Sequence, residues 1–76
     1  MERKLSEIEV QKRCAVSRVM GENKLRLFGL GFFEGSEIVP MYENRGGSTR
    51  IYYVKDCLIA LRKQDGEQIL AKEEMT

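Results

Sequence analysis

The sequence has no histidine and no tryptophan, one proline (Pro40) and two cysteines (Cys14 and Cys57). Each shortage removes a class of function. Without histidine, no side chain titrates near neutrality unless its surroundings shift it, and general acid–base catalysis loses its usual residue. There is no glycine-rich loop ending in Lys-Ser/Thr to cradle a phosphate, and no nucleophile elbow. The chain is not expected to be an enzyme. Two cysteines make no disulfide framework of the kind small secreted domains carry, and their spacing is not that of a metal-ligand pair. The expected compartment is therefore the reducing cytoplasm, with no metal or other cofactor.

Long apolar runs are missing too. Leu27–Phe33 and Cys57–Leu61 are far too short to span a bilayer, and charge begins at Glu2 with no signal-peptide core behind it. Direct membrane insertion is not expected. Thirteen basic residues against twelve acidic ones leave a net charge of +1, without the basic face on which nucleic-acid affinity depends. What is present is the makeup of one small folded domain, residues 1–76. Of its 76 residues 42% are hydrophobic, enough for a core, and 33% are charged, enough for a soluble surface. Lys72–Thr76 reads as a fraying tail.

Leu5-Ser6-Glu7-Ile8-Glu9-Val10 carries the Ser-x-x-Glu spacing of a capping box, with Leu5 and Val10 at the staple positions, so a helical turn is expected to drop Leu5 and Ile8 onto the core. Lys12–Met20 predicts a strand with Cys14 and Val16 on one face. Val19 falls out of phase, which calls for a bulge near Ser17-Arg18. After a Gly21–Asn23 turn, Lys24–Leu30 predicts a short helix with Asn23 as its cap, Leu27 and Leu30 on its buried side and Gly31 as its left-handed stop. Gly35 supplies the positive φ of a turn. Glu37–Tyr42 predicts a strand in which Pro40 must sit at an edge, bulge or bend. Arg50–Lys55 and Cys57–Arg62 follow as two strands around a tight Lys55-Asp56 turn, then a polar turn at Lys63–Glu67 and a last strand at Gln68–Lys72. About five short strands with tight turns predict a mainly β fold, a small barrel with one short helix between the first two strands. Closing the sheet would remove most of its exposed edges.

The run Arg26-Leu27-Phe28-Gly29-Leu30-Gly31-Phe32-Phe33-Glu34-Gly35-Ser36-Glu37-Ile38 resembles the R-L-x-x-L-G-x-x-x-G-x-x-[I/V] pattern of the FeoA family, and Ile59-Ala60-Leu61-Arg62 is similar to that family's I-A-L-R strand. Leu5, Ile8, Val16 and Ile69 fall at further family-like apolar positions. The sequence departs from the pattern at Gln11 and Asp56, where the family often has glycine, and at Gly66, a usual alanine. The resemblance implies an SH3-like barrel and a small cytosolic accessory protein of bacterial ferrous-iron uptake. Its implied partner is the FeoB membrane transporter, through that protein's cytosolic GTP-binding domain or its membrane core. The pattern itself is a fold signature, and nothing in it handles iron visibly.

The residues best suited to a function are those of the helix and its exit. Leu25, Leu27, Phe28, Leu30, Phe32 and Phe33 present more apolar surface than one short helix hides on one side. Leu25, Arg26, Phe28, Phe33 and Glu34 are the candidate partner-binding residues, an apolar cluster rimmed by charge. Phe32 is assigned to the core, whereas Phe28 and Phe33 fit either role. Two other readings stand beside docking. Tyr42, Tyr52 and Tyr53 with Arg45, Arg50 and Lys55 could form an RNA-binding surface, although adjacent Tyr52 and Tyr53 must face opposite ways. A homo-oligomer through the helix patch or an open barrel edge is the other. Cys14 is expected in the core, and Cys57, beside a turn, fits core or surface.

Overall fold

Strand alternation places Cys14, Val16, Ile38, Tyr52, Val54, Leu61, Ile69 and Ala71 on one side of a sheet. The computed structural model, which describes residues 1–74, brings them into one buried cluster. The elements run β1 (Glu2–Lys4), a 3-10 turn (Leu5–Glu7), β2 (Cys14–Val19), α1 (Lys24–Leu30), β3 (Glu37–Glu43), β4 (Thr49–Val54), β5 (Cys57–Arg62), α2 (Lys63–Gly66) and β6 (Ile69–Glu73). All strand pairs are antiparallel, in the order β1-β6-β2-β3-β4-β5. Leu5 and Ile8 from the first turn and Leu27 and Phe32 from α1 and its exit complete the core, all with no exposed surface. A mainly β fold, with α1 packed on the core through Leu27, is thus what forms.

Both expected irregularities are real. The β2–β6 register shifts between Val16 and Arg18, and the extra residue, Ser17, donates its hydroxyl to the Leu70 carbonyl at 3.1 Å. The β3–β4 register shifts between Pro40 and Tyr42, so Met41 is the extra residue and proline sits beside the bulge, where a missing N–H does least harm. The Pro40 carbonyl accepts the Gln11 amide, and the Met41 carbonyl accepts Gln11 Nε2 at 3.0 Å. Gln11 and Asp56 have φ of 69° and 68°. A left-handed backbone at both positions is the physical reason glycine suits them.

Several expectations need correction. There are six strands, because Glu2-Arg3-Lys4, without any apolar alternation, pairs with Leu70–Lys72 of β6. The helix therefore lies between the second and third strands. The Ser6–Glu9 capping box does not form: Lys4 stands at the N-cap of the 3-10 turn, no side chain caps it, and Val10 is exposed. Leu5 and Ile8 nonetheless reach the core. Lys63–Gly66 is a short helix rather than a plain turn. The sheet does not close on itself, since β1 and β5 lie at its two ends, and α2 bridges the gap by packing against both β5 and the 3-10 turn. Lys72 and Glu73 belong to β6 and not to a tail, while residues 75 and 76 lie outside the described residues.

One buried charge holds the N-terminal turn in place. Arg50 is only 5% exposed, and its guanidinium donates to the carbonyls of Leu5 (3.2 Å), Ser6 (2.9 Å) and Ile8 (2.7 Å). The Glu43 carboxylate lies 3.2 Å from Nε as an ion pair. The end of a 3-10 turn leaves carbonyls without partners, and the planar fork of arginine satisfies several at once.

Candidate docking surface

Helix α1 begins after Asn23, whose carbonyl accepts the Leu27 amide, but the Asn23 side chain does not cap it. Its Nδ2 instead points to Asp65 Oδ1 at 3.5 Å. Gly31 ends the helix at φ 107°, and its amide bonds back to Phe28. A Cβ there would come within 2.9 Å of Val54 Cγ1, so the stop needs glycine for space as well as for conformation.

This short helix buries only Leu27 fully, with Leu30 half-buried against the core. Leu25 is 83% exposed and Phe28 is 38% exposed. The two stand three residues apart, on neighbouring positions of one outward face. Gly29 adds no side chain to that face and has open space around it. Lys24 Nζ sits 5.7 Å from the Phe28 ring centroid and gives the apolar ridge a cationic flank.

The five candidate residues do not converge on one cavity. Arg26 is drawn to the other side of the helix, where it pairs with the largely buried Asp65 of α2 at 3.0 Å. Phe33 is half-buried and lies under Lys55, whose Nζ is 4.3 Å from the ring centroid. It helps line a shallow groove of about 480 Å³ with Val39, Tyr53, Lys55 and Asp56. Glu34 is exposed on the turn ended by Gly35 and lines neither that groove nor the helix ridge. Phe32 is in the core. Leu25 and Phe28 are left as a ridge, and Phe33 as the floor of a separate groove.

Sequence reasoning missed Val39 as a surface residue of that groove and named Tyr53 only for the RNA reading. Their signal was strand alternation, since each neighbours two buried residues on its own strand. The aromatic-basic surface considered for RNA loses two members: Tyr52 is 1% exposed and Arg50 is occupied by the N-terminal turn. Tyr53 stays outside and donates its hydroxyl to Asp56 Oδ1 at 2.9 Å.

Among the described residues, no three His, Cys, Asp or Glu side chains gather as a cation site. Cys14 is buried against the Ile38 carbonyl, and Cys57 is exposed at the start of β5. Burial, reinforced by Glu74 and Glu73, pushes the Cys14 thiol up to about 12. In the folded protein at pH 8, iodoacetamide is expected to modify Cys57 alone. Mass spectrometry should show one adduct natively and two in denaturant, and a natively labelled Cys14 would contradict the burial. No described helix is long and apolar enough to cross a membrane.

Comparison with known proteins agrees with this geometry. The FeoA domain family matches residues 3–73. The chain is similar to the FeoA protein of Chlorobium tepidum, with 25% identity and a TM-score of 0.85 over 93% of this chain and 70% of the other. It is similar to iron(II) transport protein A of Clostridium thermocellum, with 26% identity and a TM-score of 0.87 over 93% of this chain and 45% of the other. A third, Stenotrophomonas maltophilia FeoA complexed with zinc and described as an SH3 domain protein, shows 26% identity and a TM-score of 0.77 over 90% and 87% of the two chains. No curated protein sequence matches.

Proposed function

The chain belongs to the FeoA family, and from that premise we propose that it is a cytosolic accessory protein that docks on the FeoB-type transporter of ferrous-iron uptake. The family is associated with ferrous-iron transport. One observation carries the docking role: Leu25 and Phe28 stand out from a helix whose other large apolar residues are turned inward. Core formation does not account for Leu25, since it contributes almost nothing to burial. An apolar ridge flanked by Lys24 fits an apolar groove with an acidic rim on a larger partner. Phe33, Arg26 and Glu34 stand outside this ridge and are assigned to its surroundings rather than its centre.

The test is capture of the transporter's cytosolic portion by immobilised protein. Leu25→Asp and Phe28→Ala are expected to weaken capture at least tenfold, about 1.4 kcal/mol or more at a central contact. Leu25→Asp should leave the melting temperature unchanged, and Phe28→Ala should lower stability by about 1 kcal/mol or less, because the ring is already partly in water. Wild-type capture by both variants would remove the ridge from the interface.

A further inference from the structure

The two edges of this open sheet are built differently. β1 is three residues long and every one is charged, which is how proteins blunt an edge against unwanted pairing. β5 is six residues long, Cys57-Leu58-Ile59-Ala60-Leu61-Arg62, and its one charge is Arg62. Leu58 is 57% exposed and Ala60 is exposed. Val54 and Cys57 flank the two-residue Lys55-Asp56 turn. Such a turn is closed by a mutually hydrogen-bonded pair, so Cys57, Ile59 and Leu61 direct their backbone groups to β4. The Lys63 amide bonding to the Ser48 carbonyl at 2.9 Å keeps that phase. The backbone groups of Leu58, Ala60 and Arg62 therefore point outward. A cleft of about 430 Å³ separates Ala60 and Arg62 from α1 and α2. α1 contributes Leu27 to the core and so lies on the concave side of the sheet, and α2 follows directly from the C-terminal end of β5.

We propose that β5 pairs antiparallel with β5 of a second copy about a two-fold axis at Ile59, making one continuous sheet across a dimer. Charge selects both the partner and the register. With the axis at Ile59, Leu58 lies opposite Ala60 of the second copy, bulky beside small, through their outward backbone groups. Two residues beyond, Arg62 lies opposite Asp56 of the second copy, and symmetry makes this pair twice. Moving the axis to Leu58 or Ala60 puts Arg62 opposite Val54 or Leu58 and loses both pairs. An axis between residues would oppose outward-facing to inward-facing side chains, which antiparallel pairing does not allow. An edge-to-edge interface of this size belongs to the weak, reversible class.

Sedimentation equilibrium across a concentration series tests it. The wild type is expected to show a reversible monomer–dimer equilibrium. Arg62→Glu and Asp56→Lys should each weaken self-association about tenfold, as like charges now face each other twice. A mixture of the two variants should dimerise at wild-type strength, because the heterodimer restores opposite charges at both positions. Ala60→Pro removes an outward N–H without touching the β4 ladder, and should abolish the dimer while keeping the melting temperature. Should Asp56→Lys fail to fold, Arg62→Glu and Ala60→Pro carry the test alone. A wild type monomeric to about 1 mM, beyond the weak range, overturns the proposal, as do variants that associate like the wild type. So does a Cys57–Cys57 cross-link on oxidation, because the proposed register places Cys57 opposite Leu61 of the second copy. Four residues of strand then separate the two thiols, roughly 13 Å and outside disulfide reach.

Discussion

Replacing Arg50 with alanine is expected to remove about 3–5 kcal/mol of folding stability, a large share of the total. The Ile8 carbonyl loses its arginine donor in a buried place, the Ser6 carbonyl loses one at a part-buried position, and the Leu5 carbonyl keeps only the Ile8 amide. Removing one partner from a buried charged network costs about 3–5 kcal/mol, most of it the desolvation of what stays behind. A domain of this size holds roughly 4–11 kcal/mol in total, at 0.05–0.15 kcal/mol per residue. Urea denaturation followed by circular dichroism measures the loss directly. Arg50→Lys is the informative control. A single ammonium cannot span carbonyls of three residues, so most of the loss should remain despite the retained charge. Glu43→Gln should cost less than about 1 kcal/mol, since the carboxylate is half in water. If Arg50→Lys kept wild-type stability, the charge and not the fork would be what matters.

Phe32→Ala is expected to be comparably severe. The ring is fully buried and stands edge-on to Tyr52, with centroids 5.9 Å apart at 85°. Tyr52 in turn lies 5.7 Å from the Arg50 guanidinium carbon. Truncating a buried phenylalanine costs about 3–5 kcal/mol, cavity included. Phe28→Ala, four residues earlier on a half-solvated ring, should cost a small fraction of that by the same denaturation measurement. Because Phe32, Tyr52 and Arg50 touch in sequence, losses at Phe32 and Arg50 should not add, and a double-mutant cycle with the milder Phe32→Leu would expose the coupling. Equal losses for Phe32→Ala and Phe28→Ala would mean that the ridge belongs to the core.

These two residues also show what could be read without the structure. Phe32 was assignable to the core because a short helix stopped by Gly31 must hand its chain straight to the barrel interior. The Pro40 and Ser17 bulges were readable for the same kind of reason, since a missing N–H or a phase slip leaves few alternatives. Arg50 was misread as a surface cation. Its position in phase with Tyr52 and Val54 placed it inward, but composition argues that arginine stays outside, and the carbonyls it binds lie more than forty residues away. β1 was invisible because its pairing is decided by β6 and not by its own residues. The capping-box spacing at Ser6 misled, since the turn starts two residues earlier, with Lys4 at its N-cap. Of the candidate site, Leu25 and Phe28 stand exposed as a helical wheel suggests. Arg26 was captured by Asp65, a partner that no local pattern reveals.

The Lys55-Asp56 turn has a consequence for the order in which the molecule assembles. It brings together strand residues only 3 to 13 positions apart, from Val54↔Cys57 to Thr49↔Arg62. The β1–β6 pairs join residues 66 to 70 apart, from Lys4↔Leu70 to Glu2↔Lys72. Chain entropy charges far less for closing the first than the second. The β4–β5 hairpin is thus the natural nucleus, and it carries Arg50 into place before the N-terminal turn arrives to be held. The segment that docks last on the way in is the one that should come away first, so amide exchange across residues 2–8 should run ahead of global unfolding.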